Sequence, residues 1–239
     1  MPVRVSVAMA VYNGEKYLKE QLDSILPQLS CNDELVISYN ESADRTWEII
    51  NGYASADSRI KVVRCPEKGI KANFNSAITN CSGDYIFLSD QDDVWLEGKI
   101  DAVLDAFNKT GAAVIVHDCI ITDGNLVPTG RTLFRERKAT TNFFRNLIKN
   151  CYHGCCMAFS SRLTRYIIPI PANIPLHDAW IGFQGNVYGK VVLLDKQLVM
   201  YRRHGLNCSG KQKILKRISD RLNIMFALTC AYFRINYKK

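Results

Sequence analysis

Apolar runs and helix-spaced segments alternate through the first half of the chain. Residues 3–12 are rich in valine and alternate in polarity, and they stop at Asn13-Gly14, a turn pair; this predicts a strand. Leu18, Leu22 and Ile25 recur at helical spacing before Pro27, which predicts a helix over 15–26. The same reading predicts strands at 34–38, 60–65, 85–89 and 112–117, and helices at 42–50, 70–79 and 96–108. Strands that alternate with helices of this length form βαβ units, so the expected fold class is α/β with a mostly parallel sheet flanked by helices. Beyond about residue 120 the alternation weakens. Residues 131–150 mix charges with aromatics, residues 169–175 are proline-rich, and 191–201 read as one or two strands.

Length narrows this picture to one large domain, or one domain and a tail, in 239 residues. No run of 18 apolar residues occurs, so no transmembrane helix is expected. The chain runs from Met1 directly into its first strand, and no signal peptide is expected. Nine cysteines are an odd number, most lie in apolar segments, and none shows metal-ligand spacing, so they read as reduced thiols of a cytoplasmic protein. The net charge of +8 is unevenly placed: residues 211–239 hold eight Lys and Arg against Asp220 alone, leaving the first 210 residues near neutral. The basicity therefore belongs to a tail, and a nucleic-acid groove across the protein is not expected.

The most informative chemistry lies at the end of the fourth strand. Tyr85-Ile86-Phe87-Leu88-Ser89 runs straight into Asp90-Gln91-Asp92-Asp93. Three carboxylates in four positions repel one another and lose solvation when they follow a buried strand. A hard divalent cation, Mg²⁺ or Mn²⁺, relieves that repulsion and bridges carboxylates to substrate phosphates. The position also fits, because ligands of open α/β sheets bind beyond the carboxyl ends of the strands. The alternative is a solvated acidic turn with Asp93 capping the next helix.

Taken together, several segments resemble family 2 glycosyltransferases, in particular bacterial rhamnosyltransferase-like members. Val5 to Gly14 with Tyr17-Leu18 and Gln21 to Leu26 is similar to the family's opening, and Phe87 to Trp95 to its metal motif. His177-Asp178-Ala179-Trp180 and Tyr201-Arg202-Arg203-His204-Gly205 resemble later motifs. The similarity covers about residues 3–207. It implies a GT-A fold, a nucleoside-diphosphate sugar donor (UDP or dTDP) and Mn²⁺ or Mg²⁺. It implies Asp90, Asp92 and His204 at the metal, Asp178 as the general base of an inverting transfer, and Ala10, Tyr12, Asn40, Asn73 and Asp90 on the donor. Gly154 to Phe159 resembles the segment that lines the acceptor side. The implied domain is 1–210, with a nucleotide-sugar half at 1–118 and an acceptor half at 119–210, followed by the basic tail at 211–239.

One segment departs from the family. After the second strand the family shows Asp-Asp-Gly-Ser-x-Asp, whereas this chain has Tyr39-Asn40-Glu41-Ser42-Ala43-Asp44. Asn40 stands where an aspartate reads the base, and it is expected to accept from a pyrimidine N3–H without charge assistance, so that restoring Asp would tighten binding. Glu41 stands in place of a glycine, which puts the turn in question.

Other residues carry two readings each. Asp178 taken alone is also a helix N-cap. Tyr12 stacks on a base or packs at its strand end, Arg202 and Arg203 bind phosphate or are solvated, and Lys71 and Asn73 contact the donor or sit on a solvated helix face. The tail has Ile214, Ile218, Leu222 and Met225 at helical spacing among basic residues, so it is either a docked C-terminal helix or a peripheral helix on an anionic membrane at the inner face of the cell. The leading reading is a glycosyltransferase of cell-surface polysaccharide synthesis with a saccharide or lipid-linked acceptor. Its rivals are a non-catalytic binding or scaffold member and a nucleotidyltransferase.

Overall fold

The computed structural model describes residues 3–205 and 214–236. Its strands are β1 (Val5–Val11), β2 (Glu34–Tyr39), β3 (Ile60–Arg64), β4 (Tyr85–Ser89), β5 (Val94–Trp95), β6 (Val114–Thr122), β7 (Pro128–Thr132), β8 (Met157–Ser160) and β9 (Val191–Arg202). Its principal helices are α1 (Leu18–Ile25), α2 (Thr46–Ala56), α3 (Ile70–Thr79), α4 (Lys99–Thr110), α5 (Leu133–Arg137), α6 (Phe143–Ile148), α7 (Thr164–Ile167), α8 (His177–Tyr188) and α9 (Ile214–Asn236).

The strands form one sheet in the order β3-β2-β1-β4-β8-β6-β9-β5, with β7 beside β6. The first four strands pair in parallel, as the βαβ pattern predicts. The second half changes this. β8 runs antiparallel to both β4 and β6, so it joins the two halves of the sheet across their seam. β6 and β9 are parallel, and β5 is antiparallel to β9. The sheet is therefore mixed, and the 1–118 and 119–210 segments share it. Of the two readings of 191–201 the single strand holds: β9 runs unbroken, and its register against β6 shifts around Asp118.

Side-chain alternation along β1 shows how the core is divided. Val5, Val7, Met9 and Val11 face the cluster under α1 and α4, which holds Leu18, Leu22, Ile25, Val103 and Phe107. Ala8 faces the opposite cluster with Phe74, Trp180 and Phe183 from α3 and α8. Both faces are covered, as parallel sheets require. Trp180 sits at the centre of the second cluster, and its indole Nε1 donates to the Ile167 carbonyl at 2.9 Å.

The basic tail supplies α9. One side of the helix docks through Ile224, Ala227 and Leu228 against the α8 layer. The other side carries Ile218, Leu222 and Met225 of the predicted stripe, all exposed. The Ile214 side chain and the residues Lys211, Lys213, Lys238 and Lys239 fall outside what the structure describes. Among the described residues no helix is long and apolar enough to cross a membrane.

Candidate active site

The carboxyl ends of the parallel strands lie side by side, which places chemistry there. Ala10 of β1 pairs with Ser38 of β2, and Met9 with Ser89 of β4, so Ala10, Asn40 and Asp90 line one edge. The backbone of Asp90 is fixed from behind. Gln21, fully buried in α1, donates its Nε2 to Ser89 Oγ and to the Asp90 carbonyl, each at 2.8 Å. Gln91 forms a backbone-like pair with Tyr12: its Oε1 accepts from Tyr12 N–H and its Nε2 donates to the Tyr12 carbonyl, both at 2.8 Å. Gly14 makes room for this, since a Cβ there would lie 2.8 Å from Gln91 Oε1. The Tyr12 ring is 53% exposed, which leaves its face open for stacking and removes the packed alternative.

The carboxylates divide into two groups. Asp92 Oδ2 lies 2.8 Å from His204 Nε2. Carboxylate oxygens of Asp90 and Asp93 and the Cys155 sulfur all lie within 4.8 Å of one another. Asp93 does not cap a helix: it precedes β5, is fully buried, and accepts from the Arg202 amide at 2.9 Å. Its second oxygen takes no hydrogen bond from nitrogen or oxygen among the described residues, and the Cys155 thiol lies beside the carboxylate. Burial, and then the charge of Asp92, push the Asp93 carboxyl up to about 7. Burial, then Asp92, Asp93 and Asp178, raise Asp90 well above the ordinary carboxylate range. Excess negative charge of this kind is what a divalent cation relieves. The donors drawn together are the Asp90 and Asp93 carboxylates with the Cys155 sulfur, beside the Asp92–His204 pair; the oxygens fit a hard ion, and the sulfur and imidazole a borderline one.

Arg202 ties the cluster to the body of the protein. Its Nε donates to the Asp92 carbonyl at 2.8 Å, Nη1 to the Gly124 carbonyl at 2.9 Å, and Nη2 to the Glu20 carboxylate. Its guanidinium stacks 4.3 Å from the Tyr17 ring centroid, and the His204 ring packs on the same tyrosine at 4.9 Å. Arg202 is thus a buried brace. Arg203 forms an ion pair with Glu136 at 2.7 Å.

Asp178 enters from the first turn of α8, one position inside the helix, where Leu176 is the cap residue. It is 5% exposed, and burial pushes its carboxyl up to about 6 against the opposing Ala179 amide and Arg137 charge. Its charge adds to those of Asp92 and Asp93 in raising Asp90, so it lies within electrostatic reach of the cluster. Beside it, His177 stacks on Phe74 at 3.8 Å, and both its ring nitrogens lack a hydrogen-bond partner among the described residues. Gly154 permits this approach, because a Cβ there would stand 2.9 Å from His177 Nε2.

On the donor side the turn after β2 is orderly. Glu41 has no positive φ, so the turn does not need the family's glycine. Asp44 Oδ2 accepts from Glu15 N–H at 3.1 Å, and Gly14 N–H donates to Thr46 Oγ1 at 2.7 Å. Asn40 Nδ2 donates to the carbonyls of Cys65 at 2.8 Å and Glu67 at 2.9 Å. Its Oδ1 takes no hydrogen bond among the described residues. Asn73 is buried and donates to the Val11 carbonyl at 3.1 Å, so the solvated-face reading does not hold for it. Lys71 does not line the strand edge: its Nζ donates to the Ile174 carbonyl at 2.7 Å and secures the proline-rich loop.

The family model for Glycosyl transferase family 2 matches residues 6–167. The chain belongs to glycosyltransferase family 2. It is 30% identical over 152 residues to the UDP-Glc:alpha-D-GlcNAc-diphosphoundecaprenol beta-1,3-glucosyltransferase WfgD of Escherichia coli, covering 63% of this chain and 57% of that protein. It is 26% identical over 234 residues to the dTDP-rhamnosyl transferase RfbG of Shigella flexneri, covering 91% of this chain and 78% of that protein. An uncharacterized glycosyltransferase of Nostoc sp. is 24% identical over 213 residues, and the chain spans 66% of its length. Of solved structures, S. aureus TarS 1-349 in complex with UDP-GlcNAc superposes with a TM-score of 0.73 at 19% identity, covering 96% of this chain and 66% of that one. The mannosyltransferase PcManGT of Pyrobaculum calidifontis, in complex with GDP-Man and Mn2+, gives 0.66 at 15% identity, covering 97% and 74%. The fold of this family 2 member is GT-A.

Three residues of this glycosyltransferase site escape sequence reasoning. Gln21 interrupts the apolar stripe of α1, and a polar residue on a buried face is a signal of a fixed hydrogen bond. Lys99 lies four and eight residues before Val103 and Phe107, which marks it as inward-facing. It is fully buried, donates to the Cys155 carbonyl at 2.9 Å and stands 3.8 Å above the Trp95 ring. Cys155 was legible only as part of the segment that resembles the acceptor side, not as a neighbour of the carboxylates, because a cysteine in an apolar run reads as core.

Proposed function

We propose that this protein is an inverting glycosyltransferase that moves a sugar from a UDP or dTDP donor to a saccharide or lipid-linked acceptor in cell-surface polysaccharide synthesis. The reading is carried by the contact of Asp92 with His204, which brings two distant segments to the sheet edge beside Asp90, and it is supported by the influence of the Asp178 charge on Asp90. Asp92 and His204, with Asp90, would hold Mn²⁺ or Mg²⁺. Such an ion supplies Lewis-acid neutralisation of the departing diphosphate.

The protein's own groups account for the rest. Tyr12 offers an exposed ring to the base, and Asn40 offers Oδ1 to a pyrimidine N3–H. Asp178 removes the proton from the acceptor hydroxyl. The hydroxyl oxygen bonds to the anomeric carbon as the bond from that carbon to the diphosphate breaks. A single base opposite the leaving group gives one displacement and inversion. The proposed location is the inner face of the cell membrane, where a lipid-linked acceptor lies.

A non-catalytic reading draws support from Asn40, whose amide is committed to two backbone carbonyls. The retention of Asp90, Asp92, Asp178 and His204 in one site favours catalysis. A thermal-shift panel of UDP-, dTDP- and GDP-sugars with Mn²⁺, followed by release of nucleoside diphosphate on addition of acceptor, tests the reading. Stabilisation by a UDP or dTDP sugar and release of diphosphate are expected, since a ligand of the folded state raises its stability. Binding without any release would favour the non-catalytic reading, and release of pyrophosphate a nucleotidyltransferase.

A further inference from the structure

The near neutrality of residues 1–210 conceals two opposed charges. Residues 131–150 contain six Lys and Arg against Glu136 alone, a net +5, which leaves the remainder of that domain net negative. The fold packs this segment against the basic tail. Arg221 of α9 donates its Nε to the Leu147 carbonyl at 2.9 Å and its Nη2 to the Ile148 carbonyl at 3.3 Å, so α9 lies along the end of α6.

This junction also exposes apolar side chains. Phe144 and Ile148, one turn apart on α6, are 70% and 73% exposed. Leu222 and Phe226, one turn apart on α9, are 66% and 65% exposed. They stand on the side of α9 opposite its docked residues Ile224 and Ala227. Large exposed apolar side chains set among polar ones mark surfaces that a partner covers. Exposed Arg145 and Lys149 follow Phe144 and Ile148 directly in the chain, and Lys216 on α9 is exposed as well.

We propose that the α6–α9 face seats this protein on the anionic surface of a membrane. The charge decides the occupant. Apolar side chains rimmed by Lys and Arg match an interface of acyl chains under negative headgroups. A second copy would bring two strongly basic surfaces together. The seating does not rest on the glycosyltransferase reading.

Cosedimentation of the full chain with phosphatidylglycerol vesicles tests the proposal, with phosphatidylcholine vesicles as the neutral arm and no donor or acceptor present. The full chain is expected to pellet with the anionic vesicles at low salt, to be released at high salt, and to ignore the neutral ones. The pairs Phe144→Ser with Ile148→Ser, and Leu222→Ser with Phe226→Ser, are expected to weaken vesicle binding about tenfold or more. These residues are exposed, and nucleoside diphosphate release with a soluble acceptor should be unchanged in both pairs. Equal pelleting of the variants and the parent would overturn the proposal, as would a parent that pellets with neither vesicle. If sedimentation equilibrium instead shows a dimer that the same substitutions dissociate, the face is an interface between copies. Loss of vesicle binding with diphosphate release intact separates failure here from failure of the glycosyltransferase reading.

Discussion

His204 Nε2 and Asp92 Oδ2 lie 2.8 Å apart although 112 positions separate them in the chain. β9 makes this contact. It carries the last motif beside β5, with Val94 opposite Met200, and so returns His204 to the loop between β4 and β5. An imidazole and a carboxylate held this close are a ready pair of ligands.

Removing one member should therefore show in ion-dependent binding. Asp92→Asn is expected to weaken Mn²⁺-dependent binding of UDP or dTDP by about tenfold or more, with His204→Ala acting in the same direction. Isothermal titration with and without Mn²⁺ reads this directly. Unchanged affinity in both variants removes them from the ion.

Asp178 is expected to act only in the chemical step. Asp178→Asn should lower kcat by about 10²–10⁴ while donor affinity holds. The proposed base works ionised, and burial sets its carboxyl at about 6, so the rate should fall as pH drops through about 6 and level off above it. A rate that stays constant down to the ordinary carboxylate range would exclude Asp178 as the titrating base.

Asn40 now leads to the reverse of the sequence-based expectation. Its amide donates to the Cys65 and Glu67 carbonyls, and an aspartate there would lose both bonds and face two acceptors. Asn40→Asp is expected to cost about 1–3 kcal/mol of stability and to bring no gain in UDP or dTDP affinity. Urea denaturation measures the first and titration the second; several-fold tighter binding would restore the original view.

Arg202 should be irreplaceable by lysine. Its fork reaches Asp92, Gly124 and Glu20 from a buried position, and an ammonium cannot span the three. Arg202→Lys is expected to cost about 2 kcal/mol or more and to lower kcat by displacing the Asp92 loop. Equal urea midpoints for the two proteins would show that these contacts are dispensable.

Gly182 offers a test of the packing under α8. A Cβ there would lie 2.3 Å from the buried Tyr152 ring. Gly182→Ala is expected to cost about 1–3 kcal/mol, read as a lower Tm. An unchanged Tm would mean that the ring moves aside freely.

Apart from β5, the strands and helices up to residue 117 were legible in the sequence because each carries its own period: two for a strand on a shared sheet, 3.6 for a helix on its face. Asp90 and Asp92 stood out in the sequence as charges at the end of an apolar strand, whereas Asp178 and His204 were expected only through the family resemblance, since alone they read as a helix cap and an ordinary histidine. The tertiary structure decided what depends on distant pairing. β5 and β8 have two and four residues, too few to show a period, and exist only because β9, β4 and β6 supply partners. Asn40 reads as a weakened base contact until Cys65 and Glu67 arrive beside it from the end of β3. The tail reads as docked or exposed until α8 and α6 settle on one side of it and leave the other bare. Local pattern fixes which face of an element is apolar; only the arrival of a neighbour fixes whether that face is covered.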